Sequence, residues 1–298
     1  MALVESAEEF TRETGALGTA RLTLSRVIRR LIINADDFGL SHEVNMAVIR
    51  AHTEGVLTTA SLMVNEGGFE EAVELARRHP RLGVGLHLSL VRGRSALPQT
   101  EIPNLVDAEE RFPDCPVSAG IRFFFDPRCR KQLEREVATQ FDKFHATRLP
   151  LDHVNGHLHF HLHPVVFGIV VKHARRWNVR HLRLTRDPFL FNAKLAGGRW
   201  GYRVSHGVIF ALLSLRARSA LTRAGIRHTH RVYGLLQHGL VEESFIARLL
   251  RNLPEGDSEL YSHPSLSQFR HELDALLSPK AKEIIANRGI ELIRYQDL

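Results

Sequence analysis

The feature that most constrains this chain is an alternation that starts near Arg30, where short apolar runs of strand length take turns with segments of helical period. LIINAD at 31–36 leads into a helix expected from about Ser41 to Glu54, and LTTASLMV at 57–64 into one from Gly68 to Arg78. LGVGLHL at 82–88 comes next, followed by residues 91–128, a stretch marked by prolines and read as a long inserted loop. A helix is expected from Arg130 to Thr147. LDHVNGH at 151–157 then precedes a helix from Pro164 to Trp177, and VRHLRL at 179–184 precedes a loop and an apolar helix. RVYGLL at 231–236, SELYSH at 258–263 and IELIRY at 290–295 complete the strand-like runs. Strands that alternate with helices pair in parallel, since a helical crossover brings the chain back to the same end of the sheet. Seven or eight such units suit an α/β chain forming an irregular (β/α) TIM-like barrel. The expected organisation is a single domain over residues 30–298, with residues 1–29 a loosely held N-terminal extension. A doubly wound open sheet is the competing arrangement, because periodicity does not report closure.

Composition narrows the function classes. With 44% hydrophobic and 24% charged residues, the 298-residue chain can bury a large core and is not a disordered tract. Its first residues, MALVESAEEF, lack the basic and apolar regions of a secretory signal, and no apolar run approaches the roughly 20 residues of a membrane span. A cytoplasmic location is expected. The net charge is +7, but the basic residues follow no nucleic-acid-binding motif, so no nucleic acid is expected as a partner. One segment stands apart: Phe210, Leu212, Leu213 and Leu215 lie beside Arg203, Arg216, Arg218 and Arg223. That pattern suits either a packed helix with a solvated basic face or a peripheral contact at the inner face of a membrane. A homo-oligomer is compatible with the sequence. Two cysteines, Cys115 and Cys129, supply neither a disulfide framework nor a thiolate zinc site.

The polar residues able to do chemistry sit at the carboxyl ends of the expected strands, where parallel α/β folds build their sites. The first strand ends in Asp36-Asp37, the third in His87, another in His157 and His159, and a late one in His263. Any one of these has an ordinary alternative. A lone Asp pair can satisfy loop amides, and a lone His on an apolar strand is more often a hydrogen-bonded core residue. Their arrival from four strands at one mouth is harder to reach by chance. At a strand end the chain turns, so both aspartates can face the mouth, one as a ligand and the other as a base. Between Asp152 and Pro164 stand His153, His157, His159, His161 and His163, which cannot all bind one ion. One or two are expected as ligands, with the strand ending near His157 and Pro164 in the first turn of the next helix. An Asp with two His and open positions is a catalytic arrangement for one divalent ion, with zinc, iron, manganese or cobalt favoured over magnesium. No G-x-S-x-G elbow, P-loop or G-x-G-x-x-G occurs, so serine hydrolase, nucleotide-hydrolase and Rossmann chemistry lack support.

NADDFGLS (34–41), VGLHLSL (84–90), the histidine-rich run after Asp152 and SHP (262–264) resemble the YdjC-like carbohydrate deacetylases, which are similar to polysaccharide deacetylases in the logic of their metal site. LDHVNGHLHFHLHP (151–164) and RFFFDPRCRKQLEREV (122–137) resemble the hopanoid-biosynthesis-associated branch of that family. The resemblance implies metal-dependent removal of acetyl from an N-acetylated sugar, with a lipid-linked sugar such as N-acetylglucosaminyl bacteriohopanetetrol as substrate. Alternatives are a soluble N-acetyl-oligosaccharide of the chito-oligosaccharide kind and a phosphoester cleaved on the same metal. By resemblance, Asp37, His87 and His157 match the metal ligands, Asp36 matches the catalytic base, and His263 stands where a proton donor would face the leaving amine. His159, His161, Arg183 and Arg186 are implied as substrate contacts. The chain departs from the diacetylchitobiose-type branch at Asn155, Gly156, Leu158 and His159, so that branch's substrate contacts do not transfer.

Overall fold

The computed structural model describes residues 28–298, so the expectation for the N-terminal extension lies, up to residue 27, outside the described residues. The first strand, β1 (Arg29–Phe38), already begins at Arg29; its apolar run is buried in full. Ser41 then caps α1 (His42–Thr53), its side chain accepting from the Val44 amide, as its position after the strand predicted. β2 (Thr59–Leu62), α2 (Phe69–Arg78) and β3 (Gly83–Leu88) follow in the expected order. The stretch expected as a loop contains a helix, α3 (Pro116–Phe125), before α4 (Pro127–Ala146). Its prolines do not break helices: Pro116 and Pro127 occupy first-turn positions, where the missing N–H would have no partner anyway.

β4 (Val154–Gly156) is short and gives way to a tight 3-10 turn over His157–Leu162, in which Leu158 and His159 take positive φ. α5 (Pro164–His173) starts at the expected proline. The chain continues through α6 (Phe189–Leu195), α7 (Trp200–Ala224), β5 (Arg231–Tyr233), α8 (Glu243–Arg251), β6 (Gly256–Ser262), α9 (Arg270–Leu277), α10 (Pro279–Arg288) and β7 (Ile290–Leu292).

All strand pairs are parallel, and the sheet runs β4-β3-β2-β1-β6-β5, with β7 pairing to the start of β1. The α/β class is as expected, but the described residues do not form a complete eight-stranded barrel of regular ladders. The difference lies at VRHLRL. Residues 180–186 are extended and bonded on both sides, with Arg183 N donating to Val154 O, Leu182 N to Arg227 O and Val232 N to Arg186 O. Their neighbours β4 and β5 run for only three residues each and form their ladders with β3 and β6. The segment therefore spans the gap between the sheet's two edges through isolated bridges. A large core runs from β1 through the helices packed on the sheet, with two small clusters beside it, around Val232 and Tyr261 and around Ile32 and Tyr295.

Candidate metal and catalytic site

The site begins with an irregularity in β1. Its register with β2 slips between Ala35 and Phe38, Asp37 adopts φ 65°, and Gly39 follows at φ 93°. A side chain at Gly39 would bring its Cβ to 2.7 Å from the Met63 carbonyl, so the turn also needs glycine for room. The slip removes the alternation that would send neighbouring residues to opposite faces. Both aspartates consequently reach the mouth, but in different surroundings.

Asp37 sits between two imidazoles. One oxygen, Oδ1, lies 3.2 Å from His87 Nε2 and 3.1 Å from His157 Nδ1. The three ligand atoms fall within 4.8 Å of one another, and the three residues form a group able to hold a metal ion. Burial opposes ionisation of Asp37, but His157 and His87 outweigh it and hold the carboxyl well below the usual range. The same contact works in reverse on His157, whose burial disfavours the charged ring while Asp37 raises its pKa above the ordinary value.

The supporting bonds orient this group. Asn155 Nδ2 donates to Ser61 Oγ at 2.8 Å and to Asp36 Oδ1 at 3.3 Å, which fixes its Oδ1 toward His87 Nδ1 at 2.7 Å. His87 Nδ1 must then carry the proton, leaving Nε2 with its lone pair facing Asp37. Two imidazole nitrogens and one carboxylate oxygen, one ring locked in the ligating tautomer, fit a divalent transition metal better than magnesium.

Asp36 is buried and clamped. Arg183 donates to it twice, Nη1 to Oδ2 at 2.7 Å and Nη2 to Oδ1 at 2.8 Å, and Asn34 Nδ2 donates to Oδ1 at 2.8 Å. Burial would push this carboxyl up, but the Arg183 guanidinium outweighs it and holds the group below the usual carboxylate range. With Asn155 included, Oδ1 accepts three bonds and Oδ2 one, so Oδ2 keeps capacity to take a proton. Arg183 is itself shared with Glu259, at 2.9 Å from Nε, and stacks its guanidinium over the Tyr261 ring.

A pocket of about 490 Å³ opens beside these residues. Asp36, His87, His157, His159, His238 and His263 form its polar side; Val117 and Ile121 of α3 with Ile209, Phe210 and Leu213 of α7 form an apolar one. His263 reaches the pocket with its backbone N–H bonded to Glu272 Oε2 at 2.6 Å and its Nδ1 3.9 Å from the same carboxylate.

A family model described as YdjC-like protein matches residues 30–287. The chain belongs to the YdjC-like family. Among relatives, a Brevibacillus brevis protein named carbohydrate deacetylase is 34% identical over 90% of this chain and 99% of its own length. One of the same name from Geobacillus stearothermophilus is 38% identical over 90% of this chain and 98% of its own. The fold is also that of a solved Enterococcus faecalis V583 protein, titled as a candidate cellobiose-phosphate cleavage protein. That structure has a TM-score of 0.69 and 24% identity, covering 91% of this chain and 98% of its own.

Within this family frame the structure brings Asp36, Asp37, His87, His157 and His263 to one mouth and redistributes the rest. His159 lines the pocket, with Nε2 2.8 Å from the Tyr261 hydroxyl, and burial holds it neutral by lowering its pKa well below the ordinary value. His161 is fully buried and outside the pocket lining, with Nε2 2.9 Å from the Arg183 carbonyl. Positive φ at Leu158 and His159 breaks strand alternation, so the two histidines point to different places. Arg183 is fully buried, with its guanidinium on Asp36 and Glu259. Arg186 is exposed and lies outside the pocket lining. Sequence reasoning missed His238, which packs edge-on to His263 at 4.8 Å and is lowered to about 4, chiefly by burial. It also missed Asn155 and Asn34, polar breaks in apolar strands at the same parity as His157 and Asp36.

Proposed function

We propose that this chain is a metal-dependent carbohydrate deacetylase that hydrolyses the acetamide of an N-acetylated sugar, with N-acetylglucosaminyl bacteriohopanetetrol as substrate. The observation that carries the reading is the division of labour between adjacent aspartates: Asp37 lies between two imidazoles while Asp36, clamped by Arg183, faces the pocket with one oxygen underused. The family membership and the named relatives support the reaction class.

A divalent ion held by Asp37, His87 and His157 would supply Lewis acidity, polarising the amide carbonyl and acidifying a water. Asp36 Oδ2 takes a proton from the attacking water as the water oxygen bonds to the acetyl carbon. Arg183, donating to both of its oxygens, keeps this carboxylate ionised and aimed. When the C–N bond breaks, His263, which lines the pocket, delivers a proton to the departing nitrogen. The products are acetate and the free amino sugar. The lipid-linked substrate is supported by the apolar wall of Val117, Ile121, Ile209, Phe210 and Leu213, which a sugar alone would not cover.

Acetate release from N-acetylglucosaminyl bacteriohopanetetrol, followed with and without a chelator, tests both parts. Release that the chelator stops is expected. Release only from soluble N-acetyl-chito-oligosaccharides would remove the lipid-linked substrate; cleavage of phosphoesters without any acetate release would remove the deacetylase reading.

A further inference from the structure

We propose that α3 and α7 dock this protein on an anionic lipid bilayer, bringing the pocket mouth to the membrane surface. The inference goes beyond the deacetylase reading and can fail separately from it, since docking is measured without turnover.

The main observation is that α7 has one packed face and, apart from it, an apolar face that is left exposed. Arg203, Ser214, Ala217 and Leu221 are buried and make the inner face. Trp200, Val204, Val208, Leu212 and Leu215 recur at helical spacing on another face, and all five are exposed, Val208 at 55%, Leu212 at 64% and Leu215 at 73%. On the same apolar side of the pocket α3 does the same with Val117, Ile121, Phe124 and Phe125, of which Val117 is 68% and Phe125 73% exposed. Val117, Ile121 and Ile209 belong to both sets: they line the pocket and are exposed. The apolar wall of the pocket therefore runs without a break onto the outer surface. Exposed apolar area of this extent marks an interaction site rather than ordinary surface.

Charge selects the occupant. Residues 188–241 contain no Asp or Glu but eight Lys or Arg, whereas the chain as a whole carries 33 acidic residues in 298 positions. Lys194, Arg199, Arg216, Arg218 and Arg223 are exposed, and among the described residues none forms a salt bridge. An apolar stripe bordered by cations, with a tryptophan at its start, matches an anionic bilayer, where apolar side chains enter the headgroup region and the cations meet lipid phosphates. A second copy of the chain meets it poorly, since joining two α7 helices would bring cation against cation with no carboxylate in the segment to pair them. Among the described residues no helix is long and apolar enough to cross a membrane, so the fitting geometry is one that lies on the surface. Arg203, grouped with these basic residues on sequence alone, is not part of the surface: it is buried and bonds Asn192 Oδ1 and the Ala196 carbonyl.

The test is co-sedimentation of the full chain with vesicles of phosphatidylcholine alone and of phosphatidylcholine with phosphatidylglycerol. Binding to the anionic vesicles, weakened by salt, is expected. The combined variant Val208→Glu, Leu212→Glu and Leu215→Glu should lower the bound fraction about tenfold or more. Hydrolysis of a soluble N-acetyl sugar should stay unchanged in that variant, because none of the three residues lines the pocket. Should that variant fail to fold, Arg216→Glu with Arg218→Glu reads the same surface through loss of the salt-dependent part of binding. Failure of the unaltered protein to bind anionic vesicles at low salt would overturn the proposal. So would unchanged binding in folded variants of both kinds. A dimer in solution that Leu212→Glu dissociates, in a protein that ignores vesicles, would give the stripe to a second copy and overturn it as well.

Discussion

The two walls of the pocket are built and supported in opposite ways. The polar wall rises from strand ends, and beneath it Asp36, Arg183 and Glu259 form a buried array in which each carboxylate faces a cation. The apolar wall rises from α3 and α7, and behind it lies another buried carboxylate, Asp187, whose partners are neutral. Asp187 accepts from Asn192 Nδ2 and the Leu236 amide, while Arg203 gives its bonds to Asn192 and Ala196 instead. The consequences diverge. Arg183 keeps Asp36 ionised against its burial, whereas burial lifts Asp187 to about 7. The carboxylate proposed as the base is held charged by a buried cation that it shares with Glu259; the one whose partners are neutral is left able to keep a proton.

The largest expected effect tests the polar wall itself. Asp36→Asn preserves shape and removes the proton acceptor, so turnover should fall about 10²- to 10⁴-fold. Metal content measured on the same preparation should be unchanged, because the ligand group of Asp37, His87 and His157 does not include Asp36. Loss of metal together with turnover would merge the two aspartates into one role and remove the distinction drawn between them.

The polar wall was legible in the sequence and the apolar wall was not, for physical reasons. Asp36, Asp37, His87, His157 and His263 each follow an apolar run, and strand ends of a parallel sheet share one edge wherever the strands fall in order. The ion pairs of Arg183 were not legible, because they lie 147 and 76 residues away and are set by which strands neighbour its segment. Its own surroundings, VRHLRL, read as the fifth strand-like run, whereas in the structure they make only isolated bridges to their neighbours. α3 was hidden by proline content, which signals a loop unless each proline falls in a first helical turn. α7 was visible as an apolar segment, but which of its faces packs is a tertiary fact. Phe210 and Leu213 turn toward the pocket and Leu212 and Leu215 toward solvent, although the four were indistinguishable by type.

Removing the cation under the polar wall should cost stability more than any other single change there. Arg183→Met leaves Asp36 and Glu259 buried without their shared partner, and breaking a buried pair of this kind costs about 3–5 kcal/mol. Urea unfolding of the two proteins under the same buffer checks it. A loss below about 1 kcal/mol would mean that water reaches the pair and that the array is not the support described. A smaller effect is expected one bond further out. Asn155→Ala frees His87 from its fixed tautomer without touching the ligands, and should weaken metal affinity about 10- to 100-fold. Unchanged affinity in a metal titration would show that strand geometry alone orients the ring.

The smallest effect probes the support of the apolar wall and depends on pH. Asp187 has a folded-state pKa of about 7, above the roughly 3.9 expected for the unfolded chain. Between those values the folded protein holds a proton that the unfolded chain has released, so this group's contribution to stability falls as pH rises from about 4 to about 7 and is constant above. The slope is at most about 1.4 kcal/mol per pH unit. Asp187→Asn cannot ionise, so its stability should decline less between pH 5 and pH 7 than that of the unaltered protein, whatever its absolute value. The absolute value is less informative, because the new amide places a donor where Asn192 Nδ2 and the Leu236 amide already donate. Parallel stability curves over that range would mean that Asp187 is ionised in the folded state, like Asp36. The contrast between a charged support and a proton-sharing one would then be lost, and Arg203 would have to be counted as its counter-ion despite making no direct bond to it.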